Sequence, residues 1–267
     1  MKIHEIAVCL LDEYDNNRSE SIWNDPNFKL SLTEAYDVQF EIANIRQLRG
    51  ERIAGYKIGC ISKTMQTQLG VEHPVFGHVW DTEIHRSGVG LDLGSFDCLA
   101  IEGEFAVRLR DDAPSSTWLR NNREVLTEPN LVIELHNYKF KGNKSNIAAE
   151  LISKNTIHAG VVIAGDEIGL KRSKNKPRLS VYRNSICLGE SIAEHIQEGA
   201  LSIVAALSEH LESRGLNLKK NQLILTGSPL PLWEVEAGDE ISVLSDGLPN
   251  VTCTINKQPT SKRRIIL

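Results

Sequence analysis

Cys98–Arg110 reads CLAIEGEFAVRLR, and its alternation sets the architecture. At a side-chain period of two, Leu99, Ile101, Phe105, Val107 and Leu109 share one face of a strand. Glu102 and Glu104 fall on the other face, flanked by the small residues Ala100 and Ala106. Two such acids lie about 6.6–6.8 Å apart along the backbone. Their carboxylates can converge from that distance on one hard cation, and the alanines leave space for a ligand above the strand.

A second apolar run, Leu131-Val-Ile-Glu-Leu135, embeds Glu134 in a strand. Glutamate is depleted in strands and seldom buried without a partner. A cation shared with Glu102 and Glu104 supplies one. Spacing alone leaves the bland alternative open, in which Glu102 and Glu104 face solvent and Glu134 caps a strand end.

Outward from this pair, further short β-like runs occur at Ile53–Ile58, Ala159–Ala164, Leu223–Leu225 and Ile241–Leu244. One amphipathic helix interrupts them, with Ala200, Ile203, Val204, Leu207 and Leu211 on one face and Gly215 as its stop. Its start is either a capping box at Ser191–Glu194 or Gly199. The first 50 residues read as helical. Ile3, Ile6, Ala7, Leu10 and Leu11 recur at helical spacing, and Ser31–Glu34 is a capping box followed by Ala35, Val38, Ile42, Ile45 and Leu48 on one face. The fold class is α+β: a helical N-terminal segment at 1–50 and a β-rich core at 51–267.

The 267 residues carry 41% hydrophobic and 24% charged residues, the balance of a globular chain. The net charge of −5 argues against a nucleic-acid partner. The basic stretches Lys139–Lys144 and Lys171–Arg178 read as solvated loops, although the second also suits a position over an anionic substrate. No apolar run approaches the roughly 20 residues of a membrane span, and the N-terminus lacks the pattern of a signal peptide, so a cytoplasmic location is expected. Cys9, Cys60, Cys98, Cys187 and Cys253 are scattered without a zinc or disulfide spacing and read as small buried residues.

The chain resembles the 2-keto-4-pentenoate hydratases of the fumarylacetoacetate hydrolase superfamily. The likeness runs in order through Thr33–Gln39, Arg49–Gly59, Ser62–Val71, Pro74–Gly77, the Glu102-x-Glu104 strand, Glu134, Ala159–Gly165, Leu225–Ser228 and Ala237–Asp239. It implies a rolled, mostly β core with the site in its mouth. It also implies a homo-oligomeric enzyme that acts on a small 2-oxo acid. Carried across, Glu102, Glu104 and Glu134 hold Mg²⁺ or Mn²⁺, and Lys57 is the active-site lysine. An acid falls at Asp81 or at the neighbouring Thr82, with Asp81 preferred as a catalytic candidate. Asn155 and Ser228, with Lys57, are the expected substrate contacts.

That ligand set is chemically coherent. Three carboxylates leave about three octahedral positions for a chelating 2-oxo acid. They also overbalance a divalent ion, so an anionic substrate needs the compensating charge of Lys57.

Two positions depart from the family's pattern. Asn137 stands where an aspartate is usual, and His158 replaces a serine. His158 suits a general base or a hydrogen-bonded structural histidine. His136 shares the face of Glu134 and reads as its hydrogen-bond partner or as a half-exposed strand residue. The implied activity is a hydratase (a lyase of aromatic catabolism) converting a 2-hydroxy-2,4-dienoate to a 4-hydroxy-2-oxo acid. A 2-oxo-enedioate decarboxylase, an acylpyruvate-type hydrolase and a non-catalytic scaffold subunit are the alternatives.

Overall fold

The computed structural model describes residues 2–18, 20–165, 178–196 and 200–257. In chain order its helices are α1 (Ile3–Asn16), α2 (Leu32–Leu48), α3 (Lys63–Leu69), α4 (Ser116–Asn121), α5 (Ile147–Ser153) and α6 (Leu201–Glu212). The strands are β1 (Ile53–Gly59), β2 (Val75–Trp80), β3 (Ile84–Arg86), β4 (Val89–Asp92), β5 (Leu99–Arg108), β6 (Asn130–Asn137) and β7 (His158–Ile163). They continue with β8 (Arg178–Arg183), β9 (Ile186–Ile192), β10 (Leu223–Leu225), β11 (Trp233–Glu234), β12 (Glu240–Leu244) and β13 (Val251–Asn256).

The capping box that starts α2 is closed in both directions. Ser31 Oγ accepts from Glu34 N at 3.2 Å, and Glu34 Oε2 accepts from Ser31 N at 2.8 Å. The buried face of α2 is rotated from the one its apolar residues suggest. Ala35, Val38, Gln39, Ala43 and Arg46 are buried, whereas Leu48 is 89% exposed. Gln39 explains the rotation: its Nε2 donates to Phe76 O at 2.9 Å and to Ile152 O at 2.8 Å. Those bonds pin α2 to β2 and α5, with apolar packing from α1 around them.

Two sheets form the core. One runs β2-β1-β10-β5-β6-β7-β3, with β11 pairing onto β5; the other runs β4-β13-β12-β8-β9. The outer face of β5 packs on the second sheet so closely that a Cβ at Gly103 would lie 2.6 Å from Val181 and 3.0 Å from Val243. The residue between Glu102 and Glu104 is therefore glycine for packing reasons, and that contact fixes which way both acids point. The first sheet curls until β2 meets β7 and the turn before it.

Asn155 fastens this closure. Its Oδ1 accepts from His78 N at 2.7 Å, and its Nδ2 donates to His78 O at 2.8 Å. Inside the curl, Val79, Ala106, Val132, Val161, Ile163, Leu223 and Leu225 close one end as an apolar plug.

α6 starts after Ala200, which adopts a left-handed φ of 58°, and Gly215 follows its end at φ 71°. Ser191 lies within β9 rather than capping this helix, and Gly199 lies outside the described residues. The cysteines correct their reading as core residues. Cys253 is buried, but Cys9, Cys98 and Cys187 are exposed, on a helix surface, in a turn and on a sheet-edge strand. Lys141 also departs from its solvated reading, since its side chain is 6% exposed and its Nζ lies 3.1 Å from Asp97. Lys171–Pro177 lie outside the described residues. No helix among the described residues is long and apolar enough to cross a membrane.

Candidate metal centre

Strand register assembles the acids. Glu102 of β5 lies directly opposite Glu134 of β6, and Glu104 lies opposite Val132. On the far side of β6, His136 pairs with His158 of β7. Lys57 enters from β1, level with Leu225 of β10 and hence with Ala106 of β5. Its Nζ reaches to 3.3 Å from Glu134 Oε1. All six side chains thus meet beyond the apolar plug, at the other end of the curl.

Glu104 and Glu134 are fully buried, and the Glu102 side chain keeps 22% of its exposure. Glu134 Oε1 lies 2.7 Å from His158 Nδ1. Glu104 Oε2 accepts from Gly227 N at 2.5 Å. His136 Nε2 sits 3.4 Å from Glu102 Oε2 and 3.7 Å from Glu134 Oε2.

Burial, then the Glu134 carboxylate, pushes Glu104 well above the usual carboxylate range. Burial also acts to raise Glu134, but Lys57 and the histidines outweigh it and hold this acid well below that range. Burial works to depress Lys57, and the glutamates, Glu134 foremost, overcome it and keep the ammonium raised.

Among the described residues the cluster is short of positive charge. Three carboxylates meet one lysine there, and uncompensated buried charge costs several kcal/mol. It is also short of hydrogen-bond partners. Glu104 Oε1, Glu134 Oε2, both ring nitrogens of His136 and His158 Nε2 are buried without one. Such orphans are uncommon in native interiors and call for a ligand. One atom each from Glu102, Glu134 and His136 lies within 4.8 Å of the others, a grouping suited to a metal ion. The residues present therefore fit a divalent cation: hard carboxylate oxygens, an excess of negative charge and unsatisfied donor atoms all face one point.

Not every residue expected at the site is free to act there. Both polar atoms of the Asn155 amide bond to His78, forming a clasp between β2 and the turn before β7. Ser228 Oγ donates to Gly103 O at 2.9 Å and accepts from Leu230 N at 3.0 Å. It shapes the turn whose Gly227 amide holds Glu104. Asp81 is not brought to the acids. It lies four residues past Gly77, the β2 partner of Lys57, about 13 Å along a strand. Its Oδ1 accepts from Arg52 N at 2.9 Å and its Oδ2 from Arg52 Nε at 2.8 Å.

His136 is nearer the acids than its sequence reading required; its position two residues from Glu134 on the same face was the available signal. A pocket between α1, α2 and the curled sheet was not foreseen. Tyr14, Arg46, Asn137, Lys154, Asn155 and His158 are among its lining residues, and none of the three glutamates is. His158 is the link, since it lines this pocket and touches Glu134.

No family model matches the chain. A 2-hydroxyhexa-2,4-dienoate hydratase of Comamonas testosteroni is 26% identical over 239 residues, 85% of this chain and 86% of that protein. A 4-oxalocrotonate decarboxylase of Pseudomonas putida is also 26% identical, over 84% of this chain and 85% of its own. The solved 4-oxalocrotonate decarboxylase from Pseudomonas putida G7, complexed with magnesium and adipate, superposes with a TM-score of 0.84. That match covers 95% of this chain and 97% of the other at 21% identity. The chain resembles the 2-keto-4-pentenoate hydratases in sequence and has the fold of the fumarylacetoacetate hydrolase superfamily.

Proposed function

We propose that this chain is a divalent-metal-dependent hydratase that converts a 2-hydroxy-2,4-dienoate and water to a 4-hydroxy-2-oxo acid. The observation that carries the reading is the buried, cation-deficient cluster of Glu102, Glu104, Glu134 and Lys57, set on a fold shared with enzymes of this chemistry. Glu102, Glu104 and Glu134 would hold the ion, either Mg²⁺ or Mn²⁺, and it would supply Lewis acidity to the bound 2-oxo acid.

Lys57 supplies the positive charge that draws the anionic end of the substrate toward three carboxylates, and the Glu134 carboxylate 3.3 Å away holds its ammonium in place. The dienol gains a proton at C5 and loses one from its 2-hydroxyl, giving an unsaturated ketone. Water then adds its hydroxyl at C4 and a proton at C3. His158 is suited to the transfers from water. Its Nδ1 is fixed on Glu134, which leaves Nε2, without a partner, as the atom that accepts and returns a proton.

Decarboxylation of a 2-oxo-enedioate is the second reading. It draws on the equal sequence identity to a 4-oxalocrotonate decarboxylase and on Asn137, whose Oδ1 accepts from Asp97 N at 3.0 Å where a hydratase usually has an acid. Turnover of a panel of 2-hydroxydienoic and 2-oxo-enedioic acids with Mg²⁺ or Mn²⁺, followed by mass, separates the two. Gain of water supports the hydratase; loss of carbon dioxide from the diacids alone overturns it.

A further inference from the structure

The carboxylate-only ligand set leaves one neighbour unexplained. His136 is 1% exposed, and neither ring nitrogen has a hydrogen-bond partner. A buried imidazole normally satisfies both nitrogens, so two orphans on one ring need a reason. The ring is not aimed at random. Its Nε2 lies 3.4 Å from Glu102 Oε2 and 3.7 Å from Glu134 Oε2. Two donors held about 2.1 Å from one ion at a right angle are about 3.0 Å apart. Small side-chain movements therefore bring all three atoms onto a common centre. Register makes the placement permanent: Glu102 faces Glu134 across β5 and β6, and His136 is the next residue on the same face of β6.

We propose that His136 Nε2 is a direct ligand of the metal, so that this centre is a mixed carboxylate–imidazole site that favours transition-metal divalent ions over Mg²⁺. The inference rests on the metal-dependent reading above and adds the class of ion. Imidazole suits Fe²⁺, Ni²⁺, Cu²⁺ and Zn²⁺, with Mn²⁺ the weakest binder of the first-row series, whereas Mg²⁺ prefers an all-oxygen octahedron. The ring also leaves the charge balance of the site unchanged. It adds a neutral donor where a fourth carboxylate would add more negative charge.

The test uses the full-length protein stripped with a chelator. Mg²⁺, Mn²⁺ and Co²⁺ are titrated by calorimetry into wild type, His136→Gln and His158→Gln, with circular dichroism and thermal unfolding confirming that each variant is folded. Loss of His136 is expected to weaken Mn²⁺ and Co²⁺ at least about tenfold and to leave Mg²⁺ nearly unchanged. Pulsed electron paramagnetic resonance of the Mn²⁺-loaded protein reads the ligand directly. Nitrogen modulation is expected in wild type and in His158→Gln and absent in His136→Gln, which separates a ligand from a packing residue. Bound Mn²⁺ with no nitrogen signal overturns the inference and leaves the hydratase reading standing. A nitrogen signal lost only with His158 also overturns it. Absence of binding by any of the three ions sinks the inference together with the metal-dependent reading.

Discussion

Two regions of this molecule each enclose a pair of histidines, with opposite outcomes. His78 and His210 sit among aromatic rings. Phe40 and Tyr56 lie 5.0 and 5.4 Å from His78, and Tyr36 and Phe76 lie 4.5 and 4.8 Å from His210. Their charged neighbours are cations, with Arg46 stacked 4.3 Å over Trp80 and Arg214 4.4 Å over Phe40. Burial drives His78 down to about 3 and His210 to about 4. That region is a neutral wall that packs α2 and α6 on β2. His136 and His158 instead face carboxylates that outnumber the nearby lysine. Burial alone does not mark a functional histidine; an excess of buried acid beside it does.

The contrast breaks hardest at Glu134, the hub of the acidic region. Glu134→Gln removes the oxygen shared by Lys57 and His158 together with one expected metal ligand. Lewis-acid stabilisation is worth several kcal/mol, so turnover of the dienoate should fall at least about 1000-fold. Mn²⁺ should also raise the melting temperature far less than in wild type. Retention of activity within a few-fold would remove the acidic cluster from the chemistry.

Lys57→Met tests the charge count. It keeps the length of the side chain but leaves Glu134 buried beside two other acids without its cation. Breaking a buried pair in this way costs about 3–5 kcal/mol, read by urea unfolding of the metal-free protein. Added Mn²⁺ should close much of the gap, because it restores positive charge at the same place. A variant as stable as wild type without metal would show that the acids are not held by charge.

The aromatic region predicts a pH effect of its own. A histidine whose folded pKa is depressed costs nothing above about pH 6.5, where both folded and unfolded chains leave it neutral. As pH falls below 6.5 the unfolded chain takes up the proton first, and stability drops until the folded pKa is reached. For His78, held near 3, the loss at pH 5 is about 2 kcal/mol relative to pH 7.5. His78→Phe should flatten the acid limb of the stability curve by that amount. An unchanged slope would show that His78 is not buried neutral.

How much of this was visible in the sequence follows the range of the forces involved. Period-two alternation is local, so β5, β6 and the shared face of Glu102 and Glu104 were readable directly, whereas whether that face turns inward was not, because a solvent-facing pair fits the same alternation. The glycine between the two acids was readable as a residue, though not as the close contact with Val181 and Val243 that it answers. Which polar groups remain free was not readable. Asn155 and Ser228 looked available because their partners, His78 and Gly103, lie 77 and 125 residues away. The rotated face of α2 has the same origin, since Gln39 bonds to carbonyls of β2 and α5. The pocket between α1, α2 and the sheet is likewise a product of packing, with no local pattern to announce it.

Asp81 carries the smallest expected effect and the sharpest test of where the site ends. Its sequence position suggested a proton-transfer role, but both carboxylate oxygens bond to Arg52. The Arg52 side chain is 83% exposed. An ion pair this open to water is worth about 0–1 kcal/mol; burial acts to raise Asp81, but the Arg52 hydrogen bonds and charge outweigh it and hold the acid below its ordinary range. An acid held ionised on Arg52 is a poor proton donor, and four strand residues separate it from the level of Lys57. Asp81→Asn should therefore change kcat by less than about threefold and cost at most about 1 kcal/mol. Stopped-flow turnover beside urea unfolding reads both quantities. A loss of kcat far larger than the loss of stability would move the boundary of the catalytic region to include the β2 end, and would mean that Arg52 releases Asp81 when substrate binds.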